Sequence, residues 1–180
     1  MPHENGDDHH GAGAHGSQRK TGSSSTNARN DARLRNRSRH LEGALVNGVI
    51  VDTSVWVAYF RGDKACKPTA DALSYLLTGD EAVVNDVILS ELLPFVNVRG
   101  ERECADALSA VPSPNLEIDW NEIRSLQETC LRKGINKVGL PDLLIAQQAM
   151  QLGIPLFSLD RHFALMSKCT ELTLWPRKTT

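Results

Sequence analysis

Apolar residues fall into short dense runs that begin near residue 45, separated by polar and glycine-bearing stretches. Val49-Ile50-Val51 is an unbroken β-branched run, the pattern of a parallel strand buried on both faces. Asp52-Thr53-Ser54 then supplies a helix start, and Val55, Trp56, Ala58, Tyr59 and Phe60 carry that helix to Gly62. The pattern predicts a second helix over residues 69–77 and a short strand over 82–84. Asn85-Asp86 opens a further helix through Val87, Ile88, Leu92, Leu93 and Val96. Residues 101–110 also have a helical pattern, 116–118 that of a brief strand, and 121–132 that of a helix. Gly139-Leu140-Pro141-Asp142 opens a helix to about Leu152, with Pro near its first position. Strands are predicted over 154–158 and 172–175. Strands alternating with helices specify an α/β fold, a doubly wound and mostly parallel sheet.

Residues 1–45 lack any such rhythm. From Met1 to His40 the chain is rich in Gly, Ser, His, Asn and Arg, with Leu34 its only large aliphatic after Met1. Such a stretch cannot bury enough surface to offset ordering, so a disordered basic tail is expected, with the folded domain over 46–178. The run Arg33-Leu34-Arg35-Asn36-Arg37-Ser38-Arg39 could touch RNA or a membrane surface; a flexible basic tail is the simpler reading. An upstream extension from a misassigned start codon is a second reading. His3, His9, His10 and His15 are expected to be solvated.

Charge sharpens the division. Residues 1–40 carry seven Lys/Arg against four Asp/Glu, a balance of +3, and residues 41–180 carry thirteen against eighteen, −5, together the −2 of the chain. An acidic domain repels nucleic acid unless cations intervene. Cys66, Cys104, Cys130 and Cys169 stand far apart with no C-x-x-C pair, which argues against a zinc site. With no leader pattern and no apolar run of membrane-spanning length, a reducing cytoplasm and no membrane are expected.

Four acids occupy positions where chemistry gathers in an open α/β sheet, near the carboxyl ends of strands. Asp52 follows the first strand directly, Asp160 follows Leu156-Phe157-Ser158 by two residues, Asp142 lies in the first turn of a helix, and Glu91 lies in the helix leaving the second strand. Right-handed crossovers bring such elements to one edge. Carboxylates gathered there would raise one another's pKa or demand a cation. A hard divalent ion suits oxygen ligands; it can activate water and neutralise a scissile phosphate. Phosphodiester hydrolysis fits best. Each acid also has a plain structural role: Asp52 as a helix cap, Asp142 at a helix N-terminus, Asp160 in an Asx turn, Glu91 as an exposed helical residue. Asp86, at a helix start, is assigned as a cap. Their joint placement carries the functional reading.

These residues match a family. Val49-Ile50-Val51-Asp52-Thr53-Ser54-Val55-Trp56 resembles the opening of PIN domains, especially the VapC toxins of type II toxin–antitoxin pairs. Leu89-Ser90-Glu91-Leu92-Leu93 resembles their second acidic motif, Gly139-Leu140-Pro141-Asp142-Leu143-Leu144-Ile145-Ala146 the third, and Leu156-Phe157-Ser158-Leu159-Asp160-Arg161-His162-Phe163 the fourth. The match covers about residues 48–175. It implies a three-layer α/β/α fold and Mg²⁺ or Mn²⁺ held by Asp52, Glu91, Asp142 and Asp160, with Asp52 and Asp142 the direct ligands. Ser54 and Thr53 would support Asp52 or a metal-bound water, and Ser158 matches a small hydroxyl position. The resemblance also implies endoribonuclease activity on tRNA or rRNA, a homodimer, and a VapB-like antitoxin whose C-terminal segment covers the active groove. One departure is His162, where many relatives carry a further Asp; a surface replacement is favoured over a phosphate contact. The long tail is atypical too.

Two neighbouring readings stay open: a PIN nuclease of RNA processing without an antitoxin, and a catalytically inactive PIN-like binding module. A phosphotransfer enzyme with Asp52 as nucleophile needs a second carboxylate where Ser54 stands and is discounted. No Ser or Cys triad motif is present, and Arg61-Gly62-Asp63-Lys64 lacks P-loop spacing. Trp56, Tyr59 and Phe60 are assigned to the core, with a dimer or antitoxin surface as the other possibility. Arg61 and Arg161 are candidate substrate contacts.

Overall fold

The computed structural model describes residues 48–62 and 64–176. The tail expected over 1–45 lies outside the described residues.

Strand β1 (Val49–Val51) is the centre of a three-stranded parallel sheet, flanked by β2 (Ala82–Val83) on one side and β3 (Leu156–Phe157) on the other. Every residue of the three strands is buried, as their continuous apolar runs require. Fully covering each Val, Ile or Leu contributes about 1.5–3 kcal/mol, so this small sheet anchors the core.

Between β1 and β2 run α1 (Thr53–Arg61), a 3₁₀ turn at Lys64–Cys66, and α2 (Lys67–Thr78). After β2 come α3 (Asp86–Val98), α4 (Arg102–Ala110), α5 (Trp120–Arg132) and α6 (Leu140–Leu152), and after β3 comes α7 (Arg161–Met166). Helix α1 stops at Gly62, whose φ of 64° is the left-handed cap glycine adopts freely; its N–H bonds the Tyr59 carbonyl. Helix α6 stops the same way at Gly153. Trp56 is buried and donates its indole N–H to the Val51 carbonyl at 3.1 Å, while Tyr59 and Phe60 pack against the core only in part.

Val84 N–H donates to Pro112 O at 3.0 Å, so the segment after α4 lies alongside β2. The chain therefore steps outward twice from β1 before returning across it to β3. With right-handed connections this puts α1–α4 on one face and α5–α7 on the other, the expected three-layer α/β/α arrangement. Helix α1 meets α2 and α3, and α3 meets α4, while α6 meets α5 and α7; α3 also meets α6, joining the two groups.

Two expected strands do not form. Residues 116–118 have no ladder, and Ile118 is exposed. Pro112 and Pro114 supply no N–H, and neighbouring backbone groups are met instead by two glutamines of the buried helix α6. Gln147 Nε2 donates to Asp119 O at 2.9 Å, and Gln148 Nε2 donates to Pro114 O and Asn115 O at 3.2 Å each. Residues 172–175 make a single parallel bridge, Leu174 beside Leu156, rather than a strand. The sequence pattern does not predict helix α7, which Asp160 caps. Among the described residues, no helix is long and apolar enough to cross a membrane, and all four cysteines are free.

Candidate functional site

Strand register builds the site. Val51 pairs with Phe157 and Ile50 with Val83, so Asp52, Ser158 and Asn85 leave the sheet side by side at its carboxyl edge. Asp52 keeps extended dihedrals (φ −67°, ψ 154°) and caps α1 through the Ser54 N–H at 3.2 Å. The residue is buried, 6% exposed, and a covered charge needs donors. Asp52 Oδ2 receives three: the Ser54 N–H, the Ser54 hydroxyl, and the Ser158 hydroxyl at 2.8 Å. Both hydroxyls are held in turn. Ser54 Oγ accepts the Leu159 N–H at 3.0 Å, and Ser158 Oγ accepts the Asp160 N–H at 3.0 Å. The loop before α7 is thereby tied to the first turn of α1.

Asp142 is the third residue of α6. Its Oδ2 accepts the Gly139 N–H at 2.9 Å, the reciprocal arm of a capping box; glycine has no side chain for the other arm. Burial pushes the Asp142 carboxyl above its ordinary range. The Gly139 N–H pulls it back, the charges of Asp160 and Asp52 push it up again, and His162 opposes them. Asp142 thus lies near enough to Asp160, Asp52 and His162 to feel their charges. Asp160 caps α7, its Oδ1 accepting the His162 N–H at 2.8 Å, with His162 Nδ1 3.0 Å from the same oxygen.

Glu91 lies exposed on α3, its Oε2 taking the hydroxyl of Thr53. Thr53 thus bonds Glu91 rather than Asp52. Ser54 and Ser158 do hold Asp52. His162 is no surface replacement: its side chain is only 18% exposed and turned onto Asp160. Arg161 is exposed at the start of α7. Sequence reasoning placed Asn85 only at a helix start. Register sets it beside Asp52, fully buried, with Oδ1 capping Ile88 N–H at 2.9 Å and Nδ2 without an acceptor among the described residues.

A pattern runs through all four acids. Each has one oxygen engaged by protein donors, while Asp52 Oδ1, Glu91 Oε1, Asp142 Oδ1 and Asp160 Oδ2 have no donor among the described residues. None of these four is a sealed, unsatisfied atom. Among the described residues, no three His, Cys, Asp or Glu side chains close into a metal cage. Single hard oxygens offered singly suit an ion that takes one or two direct carboxylates and fills its octahedron with water, the habit of Mg²⁺.

A groove of about 560 Å³ begins at Thr53 and Glu91 and runs between α1 and α3. Val57, Phe60, Leu92 and Phe95 line it together with Arg61, Arg99 and Glu101, and Arg99 pairs with Glu101 at 2.9 Å. Arg99 lies over the Phe95 ring at 5.0 Å.

A family model described as PIN domain matches residues 49–168. No curated protein matches the chain in sequence. Three solved structures share the fold at low identity. VapBC2 from Rickettsia felis, bound to a DNA fragment from its promoter, is 18% identical, covers 70% of this chain and 96% of its own, and has a TM-score of 0.55. DNA-bound VapBC from Salmonella typhimurium is 17% identical over 71% of this chain and 96% of its own, TM-score 0.55. FitAcB from Neisseria gonorrhoeae is 17% identical over 70% and 95%, TM-score 0.56.

Proposed function

This chain belongs to the PIN domain family, a family of nucleases, and on that premise we propose that it is a Mg²⁺-dependent endoribonuclease, the toxin of a VapBC-type pair. The observation that carries the reading is that Asp142 feels the charges of Asp160 and Asp52 while each of the three carboxylates keeps one oxygen without a donor among the described residues.

In this reading Asp52 Oδ1 and Asp142 Oδ1 hold the ion directly, and Glu91 and Asp160 act through water; Mn²⁺ can substitute. The bound ion supplies activation of an attacking water and neutralisation of the scissile phosphate's charge. Ser54 and Ser158 fix Asp52 by its inner oxygen, so that its outer oxygen meets the ion at little reorganisation cost. Thr53 restrains Glu91 in the same manner. Asp160 Oδ2, which has no donor among the described residues, would accept a proton from the attacking water. Arg61 and Arg161, both exposed, meet RNA phosphates.

The groove supports a protein partner. Its apolar side chains suit an antitoxin segment carrying apolar anchors, with an acidic residue toward Arg61, and occupancy there would cover Glu91. Such a toxin would act on tRNA or rRNA in the cytoplasm, as a homodimer.

The test is cleavage of total cellular RNA by the purified chain, with 5′ ends mapped. Discrete new ends that need Mg²⁺, vanish with EDTA and are missing from Asp52→Asn support the reading. Cleavage indifferent to EDTA and to Asp52→Asn sinks it. Suppression of cleavage by the product of a small neighbouring gene separates a toxin from an RNA-processing nuclease.

A further inference from the structure

Lys137 sits in a backbone conformation that a lysine side chain makes harder to hold. The loop over residues 133–139 joins α5 to α6, and Ile135 and Val138 sink into the core, 6% and 8% exposed. Its ends are fastened as well. The Ile135 N–H bonds the Cys130 carbonyl at 2.9 Å, and the Gly139 N–H bonds Asp142 Oδ2 at 2.9 Å. Between the two buried anchors the chain turns through Lys137, whose φ is 67°. Glycine enters this left-handed region freely, and Asn or Asp tolerate it through local hydrogen bonds; lysine has neither advantage. Among the described residues the others with positive φ are Asp80 and glycines.

No internal contact accounts for the side chain. Lys137 is exposed, and no carboxylate pairs with it among the described residues, whereas Lys67 pairs with Asp71, Arg99 with Glu101 and Arg132 with Glu128. Its place in the chain is informative. Two residues, at most about 7 Å of backbone, separate it from Gly139, which Asp142 holds. Residues 41–180 balance to −5, so a polyanion approaching the carboxylates is repelled unless cations stand beside them. A long, unpaired ammonium on a loop anchored at both ends supplies one.

Resting on the nuclease reading above, we propose that Lys137 is an RNA-binding residue whose ammonium meets a backbone phosphate of the substrate beside Asp142. The experiment compares the full chain with Lys137→Gly, Lys137→Asn and Lys137→Arg. Thermal melting is set against fluorescence anisotropy of a labelled single-stranded RNA in EDTA over a range of NaCl concentrations, and against the kinetics of Mg²⁺-dependent cleavage. Lys137→Gly and Lys137→Asn should melt no lower than wild type yet bind RNA several-fold more weakly. Their log–log salt dependence should be shallower by about 0.7, the share of one phosphate contact on a single strand. KM should rise with kcat held, and Lys137→Arg should keep the affinity. The basic residues of 1–40 are common to every variant, so the change in slope reads position 137 alone. Gly and Asn variants that bind and cleave as wild type does, with the same salt slope, overturn the proposal and leave the nuclease reading standing. Weakened binding of the neighbouring gene's product with RNA binding intact also overturns it. So does a Lys137→Gly chain that melts well below wild type, since the side chain would then be kept for stability. A wild-type chain that neither binds nor cleaves RNA sinks the nuclease reading itself, and this inference with it.

Discussion

Ser158 donates its hydroxyl proton to Asp52 across 2.8 Å, joining the ends of β3 and β1 over 106 positions of sequence. The same hydroxyl accepts the Asp160 N–H, so one side chain orients two acids. Ser158→Ala should cost about 1 kcal/mol, since a bond to a charged acceptor is worth more than this but the site is part-exposed. Mn²⁺ affinity should fall several-fold, with Ser158→Thr restoring most of it. Thermal melting and Mn²⁺ titration check both; an alanine variant matching wild type in each would show that Ser54 alone suffices.

Asp52→Asn and Asp142→Asn should each lower Mg²⁺-dependent RNA cleavage by more than about a hundredfold, because metal stabilisation of phosphoryl transfer is worth several kcal/mol. The fold should persist, since asparagine caps α1 at position 52 as well as aspartate does and its amide oxygen can still accept the Gly139 N–H at position 142. Single-turnover cleavage and circular dichroism measure the two effects. Full activity in both variants would remove these residues from the site.

The raised Asp142 carboxyl fixes the sign of a pH effect in metal-free protein. A folded pKa above the ordinary 3.8 means that protonation favours the fold. That contribution is full below 3.8 and disappears as pH rises through the raised value. At neutral pH the ionised carboxylate is therefore unfavourable. In EDTA, Asp142→Asn should melt a few degrees above wild type near pH 7, the gap closing on acidification. Added Mg²⁺ should reverse the order by stabilising wild type alone. An Asn variant that is less stable than wild type in EDTA at neutral pH contradicts this.

Gln147 joins α6 to the start of α5, donating to Asp119 O at 2.9 Å and Glu122 at 2.8 Å and accepting the Asp119 N–H at 3.4 Å. Gln147→Leu leaves these groups without their buried partner, at about 1–3 kcal/mol. Hydrogen exchange should accelerate at residue 119 and its neighbours and not in β1. Unchanged protection there would show that Gln148 holds the segment by itself.

Phe95 is more than half exposed beside the groove, far from any role in holding Asp52 or Asp142. Phe95→Glu should weaken binding of the neighbouring gene's product at least tenfold while leaving RNA cleavage intact. Equal affinity of the variant and wild type would move the partner to another surface.

Much of the architecture was legible because local physics agrees with the fold. Val49-Ile50-Val51 can bury both faces only inside a sheet, and Gly62 and Gly153 mark helix ends at the left-handed cap. Leu116-Glu117-Ile118 misled for the converse reason: its β-rich composition is overruled by two upstream prolines and by glutamine side chains that meet the local backbone. No run of neighbouring residues could disclose that, because Gln147 and Gln148 arrive from about thirty positions away.

By itself the sequence determined an α/β chain and three acids at strand ends and helix starts with a fourth, Glu91, inside a helix, since spacing and caps are local properties. Which oxygen of each acid is tied, that Thr53 serves Glu91 while Ser54 and Ser158 serve Asp52, and that His162 turns inward onto Asp160 were decided only in three dimensions. Those choices follow from strand register and from which donors the packing delivers to a buried carboxylate, and register is a relation between segments that the chain brings together only on folding.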